Sequence, residues 1–517
     1  KKIGGSVMNY YYEYNKGLCI DELNSYKAVL SEHLTSTDRE LLDEYIEKWN
    51  FYEGYHWENI ELQDKPQVTK NYCRAFVNKF VAFEFGKEVT FQVPTEEDND
   101  ESTPAPVTDF LNEIWSIHNK KMELLTDLGQ TKAVTGIGWL QVKYEKPEDL
   151  NDPFNEYPNG RIRLINMSPL TVFPEYDPHD QEKLVKLTVM YPVETQVPTL
   201  FSIRNKMKTK VYKMVWTNDE FLVTLGGEIQ EKGANPYGFI PFVPFINYPI
   251  ANKTTGASDI DDIIPLNVEL NQKNSDISEI IDYHSAPITV VYGADIGTLE
   301  RGANKMWGGL PTDARIENLT MNTDLNASTA YIADVKKAIH EVGCIPENAL
   351  GDIGAISNTS GVALQIMNSP LLERTNVKRM YSTAGLQRVN KMIIFMGIFH
   401  GLFQKPAIDT KELYNTEVVW KDPLPKDTLI EMQQLQQEMN MGIESRQGAM
   451  QRLGKDSKKV FEAMSEDYEK HPEFYGQPKK EEITLNSGMT NGETPQEMKR
   501  KEMTGENKKT PVTEGKM

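Results

Sequence analysis

The chain has 517 residues, 39% of them hydrophobic and 26% charged, with 56 Lys and Arg against 76 Asp and Glu and a formal charge of -20. That length suggests about three or four domains, and the acidic balance argues against a surface that grips nucleic-acid phosphates through clustered cations. Cys19, Cys73 and Cys344 are the three cysteines, with no Cys-x-x-Cys pair, so neither a disulfide framework nor a zinc ribbon is indicated and a reducing compartment is expected.

The opening "KKIGGSVMNYYYE" lacks the apolar core and small-residue cleavage site of a secretory signal. Residues 37 to 57, "TDRELLDEYIEKWNFYEGYHW", predict a helix capped by Thr37 or Asp38, with Leu41, Leu42, Tyr45, Ile46 and Trp49 on one face. "NYCRAFVNKFVAFEFGKEVTFQVP" predicts a helix through about Phe85, a stop at Gly86 and a short strand. The acidic "PTEEDNDESTPAP" reads as a solvated loop. A further helix is expected from Val107 to about Val134, followed by strands through "GIGWLQVKYE", "GRIRLINMSPLTVFPEYD" and "KLVKLTVMYPV" to roughly residue 250.

From Gly256 the period becomes helical. "GASDIDDIIPLNVELNQKNSDISEIIDYHSAP" places Leu266, Leu270, Ile277, Ile280 and Ile281 at helical intervals, with Ser258 as cap and an end at Pro287. Asn267, Asn271 and Asn274 form an uncharged polar stripe, read as a solvated face or else as one turned to a neighbouring subunit or a channel. "PITVVYG" is strand-like, 294 to 328 is expected to be irregular, and "STAYIADVKKAIHEVGC" returns as a helix with Ile332, Val335, Ile339 and Val342 on one stripe. Two helices thus flank a small β excursion. The loop "GDIGAISNTSG" then leads into a helical region from about Gly361 to His400 that Pro370 should kink. Residues 426 to 465 read as charged helix, and 476 to 517, almost without large apolar residues, as disordered. The apolar run "MIIFMGIFHGLF" is too short to span a bilayer, and no solenoid repeat is present.

Catalytic signatures are missing. The loop at 351 to 361 looks like a phosphate cradle, but Thr359 and Val362 stand where a P-loop needs glycine and lysine. "HEVGC" is not His-Glu-x-x-His, no Gly-x-Ser-x-Gly elbow occurs, and carboxylate pairs are too common among 76 acids to mark a glycosidase. Asp259, Asp261 and Asp262 are the one cluster that suggests a divalent ion, although carboxylates at a helix start are explained by the macrodipole alone. The basic runs Arg204 to Lys213, Arg374 to Arg379 and Lys499 to Lys501 read as solvated faces.

Several stretches in a fixed order resemble one family, the portal proteins of tailed bacteriophages, in the branch typical of long-tailed phages of Gram-positive hosts. They are "NYCRAFVNKFVAFEFGKEVTF", "GIGWLQVKYE" with "INMSPLTVFPEYD", "NPYGFIPFVPFINYP", "GASDIDDIIPLNVELNQKNSDISEI" and "NTSGVALQIM", covering about 70 to 470. The resemblance implies an α+β portal-type fold, assembled as a ring of commonly twelve subunits. Its parts would be an N-terminal extension at 1–36, a β-containing wing at 37–255 and a stem helix at 256–286. A small α/β clip at 287–327 and a second stem helix at 328–345 would follow. A tunnel loop at 346–361, a long kinked wing helix at 362–403, an α-helical crown at 404–470 and a disordered tail at 471–517 would complete the chain.

The resemblance further implies a conduit, not an enzyme, with no cofactor. Its ring would occupy one capsid vertex of the virion after assembly in the host bacterial cytoplasm, without membrane contact. Double-stranded DNA would pass through it, and the terminase large subunit, a head-completion or adaptor protein, and the major capsid and scaffolding proteins would be partners. Gly351, Asp352, Ile353, Gly354, Ser357, Asn358 and Thr359 would then belong to the tunnel loop, Asn267, Asn271, Asn274, Lys336 and Lys337 would be channel-facing stem candidates, and Trp307 and Leu310 clip docking candidates. From Pro346 to Gly361 the only charged residues are Glu347 and Asp352, so such a loop can touch a moving phosphate backbone without holding it. The competing expectations are a metal-dependent DNA-processing enzyme built on Asp259, Asp261 or Asp262, and a structural head protein without a channel.

Overall fold

A computed structural model describes residues 26–57, 66–93, 105–150, 153–197, 206–285, 288–292, 312, 315–319, 325–351, 361–406, 410–424, 428–453 and 457–470. The chain forms two compact units that meet between Lys426 and Asp427, fewer than its length suggests, because distant segments of the first share their cores. The expected disordered tail, the acidic loop from residue 94 to 104, and the tip "MWGGLPTD", apart from residue 312, lie outside the described residues, while Ala105 and Pro106, expected to end that loop, begin a helix.

Helix α1 (Ser36–Glu53) is capped by Thr35 rather than Thr37 or Asp38. The Asp38 N–H donates to the Thr35 hydroxyl and the Thr35 N–H to the Asp38 carboxylate, which satisfies two end amides at once. As expected, α2 (Tyr72–Phe85) stops at Gly86 and leads to β1 (Val89–Gln92). The single helix expected over 107–134 is instead two, α3 (Ala105–Asn112) and α4 (Lys121–Thr135), parted by a wider π-type turn and by Lys120 at φ 49. The break lets Trp115 enter the core, where its Nε1–H donates to the buried Asn390 at 2.8 Å.

Strand β2 (Ile137–Glu145) is central to a three-stranded antiparallel sheet, flanked by β3 (Arg161–Met167) and, from later in the chain, the strand Phe242–Ile246. Its alternate side chains enter two cores. Ile137 and Trp139 join Leu42, Tyr45 and Leu187, while Leu140 and Val142 join Trp115, Leu128 and Leu386. Between these strands β4 (Val172–Asp177), β5 (Asp180–Val197), β6 (Lys206–Thr217), β7 (Glu220–Leu225) and β8 (Glu228–Ala234) form an antiparallel meander, which β9 (Phe242–Ile246) follows. Edge strand β8 carries Glu228, Glu231 and Lys232, charges that discourage pairing with another edge.

The helix expected from Gly256 begins later, as α5 (Ile263–Ser285), and Ser258 is not its cap: its hydroxyl donates to Ala133 O and accepts the Ile260 N–H. A two-stranded antiparallel pair, β10 (Ile288–Tyr292) and β11 (Arg315–Leu319), follows, the second inside a stretch expected to be irregular. Helix α6 (Leu325–Val342) packs against α5. The kink foreseen at Pro370 is a break between α7 (Gly361–Met367) and α8 (Ser369–Phe399), with the proline in the first turn of α8, where its missing N–H costs nothing. The apolar run from Met392 supplies Met392, Ile393, Ile394 and Met396 to the core.

After α9 (Thr410–Leu413), β12 (Glu417–Trp420) pairs with β1, and Leu413 and Val418 are buried with them. Residues 410–424 therefore stay with the first unit, which runs to Lys426. The second unit holds α10 (Thr428–Asn440), α11 (Arg446–Arg452) and α12 (Ser457–Lys470), each packed on the next.

Candidate functional site at the root of the helical pair

The α5/α6 pair carries the stem candidates, and its base is fixed by two sets of buried polar contacts. The first is a ladder between α5 and the extended strap at residues 66–72. Tyr72 N–H donates to Asn267 Oδ1 at 2.9 Å, Lys70 N–H to Asn271 Oδ1 at 2.9 Å and Val68 N–H to Ser275 Oγ at 3.0 Å. Four helical residues rise about 6 Å and two extended residues span about 6.6 Å, so the two repeats stay in step. The helix face turns by about 40° per step, which limits the ladder's length. Pro66 stands where the next donor would be and has no N–H.

The asparagine stripe is therefore neither a solvated face nor, at Asn267 and Asn271, one open to a channel. Asn267, Asn271 and Ser275 are at most 1% exposed, because each is occupied by strap backbone. Asn274, half-buried, accepts from Lys70 Nζ at 2.8 Å and donates to Leu270 O. His56, 2% exposed, closes the ladder from the side, its Nδ1 2.7 Å from Asn271 Nδ2. Replacing Asn271 with alanine strands the Lys70 N–H and His56 Nδ1, and is expected to cost about 2 kcal/mol. A shift in the denaturant midpoint of the first unit measures it, and an unchanged midpoint contradicts the ladder.

The second set is a buried charge network. Lys132 Nζ lies 2.6 Å from Glu84 Oε1 and donates to Ser382 Oγ at 2.8 Å, and Ser382 donates to the same Glu84 oxygen at 2.7 Å. Lys378 Nζ holds Asp259 Oδ2 at 2.5 Å and approaches Glu84 Oε2 at 3.9 Å, while Arg374 reaches Asp259 Oδ1 at 3.3 Å. Glu84, Lys132, Lys378 and Asp259 have fully buried side chains. Lys378 also lies over the Phe80 ring and Arg374 between the Phe80 and Tyr248 rings. Burial pushes the Asp259 carboxyl up, but Lys378 and Arg374 outweigh it and hold it below its ordinary value. Burial also lowers Lys132, against the pull of Glu84.

These residues come from α2, α4, α8 and the turn before α5, so the network fastens the start of α5 to three helices. The Arg374 to Arg379 run is thus no solvated face: Arg379 too is 9% exposed and donates to Phe83 O. The metal expectation fails on the same geometry. Asp259 is held by two cations, Asp261 takes Lys48 Nζ at 2.7 Å and the Ser258 N–H at 2.9 Å, and Asp262 points to solvent. Among the described residues no group of three or more His, Cys, Asp or Glu side chains could hold a metal ion.

The other candidates divide. Lys336, on α6, pairs with Glu347 at 2.9 Å and so ties the helix to the turn at Glu347–Leu350, and exposed Lys337 pairs with Glu341. Gly351 ends that turn at φ 105, a left-handed conformation that glycine adopts freely. Asp352, Ile353, Gly354, Ser357, Asn358, Thr359, Trp307 and Leu310 lie outside the described residues. Sequence reasoning missed Glu84, Lys132 and Lys378, whose only outward sign is a charged residue on an otherwise apolar helix face.

The described residues contain no helix long and apolar enough to cross a membrane. The protein thus has a mixed helix-and-sheet fold in which a helical pair, fastened at its base, flanks a two-stranded antiparallel β-pair. Residues 11–471 match the family described as phage portal protein, SPP1 Gp6-like, and the chain belongs to that family. It is a phage portal protein, a structural head-to-tail connector component rather than a member of a catalytic family. No curated protein sequence matches the chain. A solved structure described as the neck of an empty GTA particle computed with C6 symmetry is similar to it at 13% identity and TM-score 0.42, over 74% of this chain and 90% of that one.

Proposed function

We propose that the chain is one subunit of a closed ring, commonly of twelve, at one vertex of a phage capsid, and that double-stranded DNA enters and leaves through it. In this assignment α5 and α6 are the stem, and 287–327, with β10 and β11, is the clip that docks the terminase large subunit and later a head-completion protein. Residues 346–361 are the tunnel loop, the rest of the first unit is the wing, and residues from 427 to about 470 are the crown. The observation that carries it is the rooted helical pair. A strut that takes load from moving DNA and a docked motor needs a base that does not shear, and α5 has two independent fixings there. The charge of -20 supports a conduit, since acidic walls repel DNA and leave its motion unobstructed.

The loop assignment is tested by replacing Gly351 and Gly354 with proline. Proline fixes φ near about -65° and cannot take the conformation Gly351 holds at φ 105. The variant is expected to assemble normally while packaging far less DNA in infected cells. Normal packaging would argue that this segment never touches the genome.

A further inference from the structure

We propose that His56 is a proton-operated latch on the strap: with the ring neutral the strap is held on α5, and a proton on Nδ1 sets two donors face to face and releases it. The hydrogen-bond directions leave no other arrangement. Backbone amides only donate, so Asn267 and Asn271 must turn their oxygens to Tyr72 N–H and Lys70 N–H. Their NH2 groups then face His56 Nδ1, at 3.4 and 2.7 Å. Nδ1 must accept, so the proton sits on Nε2, which donates to Phe51 O at 2.9 Å. Asn267 Nδ2 also donates to Lys70 O at 2.9 Å.

A second proton has no place in this arrangement. An imidazolium Nδ1–H would point at the Asn271 NH2 group, and flipping Asn271 to meet it would turn that NH2 against the Lys70 N–H. In the first case Asn271 loses its bond to His56 and meets a repelling donor, and in the second the strap loses its Lys70 rung. Among the described residues, the partners of His56 include no carboxylate to take the charge: Phe51 O accepts from Nε2, the Phe51 ring lies 5.1 Å away on α1, and α5 presents the two asparagines. Three charged groups on those elements are engaged elsewhere. Glu53 holds Arg74, Lys70 reaches Asn274, and Lys273 sits between Glu269 and Asp276.

The sign follows from the direction of the shift. Burial lowers the His56 pKa, opposed only by its bond to Phe51. A histidine lowered in the folded state contributes fully above the unfolded value of about 6.5, and that contribution is lost as pH falls below it toward the folded value. The latch is a property of one chain; that its release loosens a stem from a wing rests on the portal assignment above.

Hydrogen exchange of the peptide spanning 66–72, in the full chain and corrected for the intrinsic pH dependence of exchange, tests the latch at pH ~7.5 and ~5. Protection in the native sequence is expected to fall on the order of tenfold, the worth of one lost hydrogen bond. His56→Asn keeps an acceptor near the Nδ1 position and cannot titrate, so its protection should not change with pH. Unchanged protection in the native sequence overturns the latch, as does a parallel fall in His56→Asn, which would assign the effect to another group. Exchange at the His56 ring carbon gives its titration without any variant, and a midpoint that does not coincide with strap release also overturns it. Particle mass at both pH values separates the two claims: a single-chain mass throughout sinks the ring and leaves the latch standing.

Discussion

Asp259→Ala is expected to cost about 3–5 kcal/mol, because it takes from buried Lys378 its close carboxylate, leaving only Glu84 at 3.9 Å, and takes one partner from Arg374. That is a large fraction of the ~5–15 kcal/mol that holds a typical domain together. Two features of Asp259 make this substitution the most costly. The carboxylate is fully buried, so water cannot replace it, and its own N–H donates to Ala133 O at 2.8 Å, so disturbing it disturbs the turn that launches α5. Asp259→Asn keeps the shape and loses the charge, and should fall between the two. The pH dependence has a fixed sign: a carboxyl lowered in the folded state stabilises above its unfolded value and loses that contribution as pH falls through the folded one. The gap between the native sequence and Asp259→Asn should therefore close in acid. Denaturant midpoints of the first unit measure all of this, and a loss under about 1 kcal/mol for Asp259→Ala would mean the network is not a fixing point.

Gly136→Ala is expected to cost on the order of 3 kcal/mol or more through two separate effects. Gly136 caps α4 at φ 85, where a side chain strains the backbone by about 1–3 kcal/mol. Its Cβ would also lie 2.2 Å from Gly256 O, and a Cβ on Gly256 would lie 2.6 Å from Gly136 O, so the two backbones pass with no room for either. Relief requires the 247–257 segment to move, and Asn247 N–H donates to Gly136 O at 2.9 Å across that contact. Since that movement also draws Asp259 from Lys378, the double variant Gly136→Ala with Asp259→Ala should lose less than the two single losses combined. Thermal unfolding checks both statements, and a Gly136→Ala midpoint matching the native one contradicts the first.

Local signals were readable in the sequence where they are complete within a few residues. Gly86 ends α2 and the alternation in "GIGWLQVKYE" predicts β2, while at Pro370 an interruption is legible but is expected as a kink rather than a break. What failed depends on partners far along the chain. The stripe at Asn267, Asn271 and Asn274 reads as a wet face because nothing within α5 says that residues 66–72 lie on it. The Arg374 to Arg379 run reads as solvated because its carboxylates, Asp259 and Glu84, stand more than a hundred residues away. The Val107 to Val134 helix breaks because Trp115 is drawn to Asn390, a contact no local propensity contains. At the family level the order of motifs was enough, since it survives where individual contacts cannot be inferred.

The mass of the purified protein in solution, with electron-microscope class averages of the same sample, tests the central claim most directly. The portal assignment predicts closed rings with a central hole near about 700 kDa, twelve times the 59.0 kDa chain. A stable 59.0 kDa monomer at high concentration would contradict it, since one chain cannot enclose a channel.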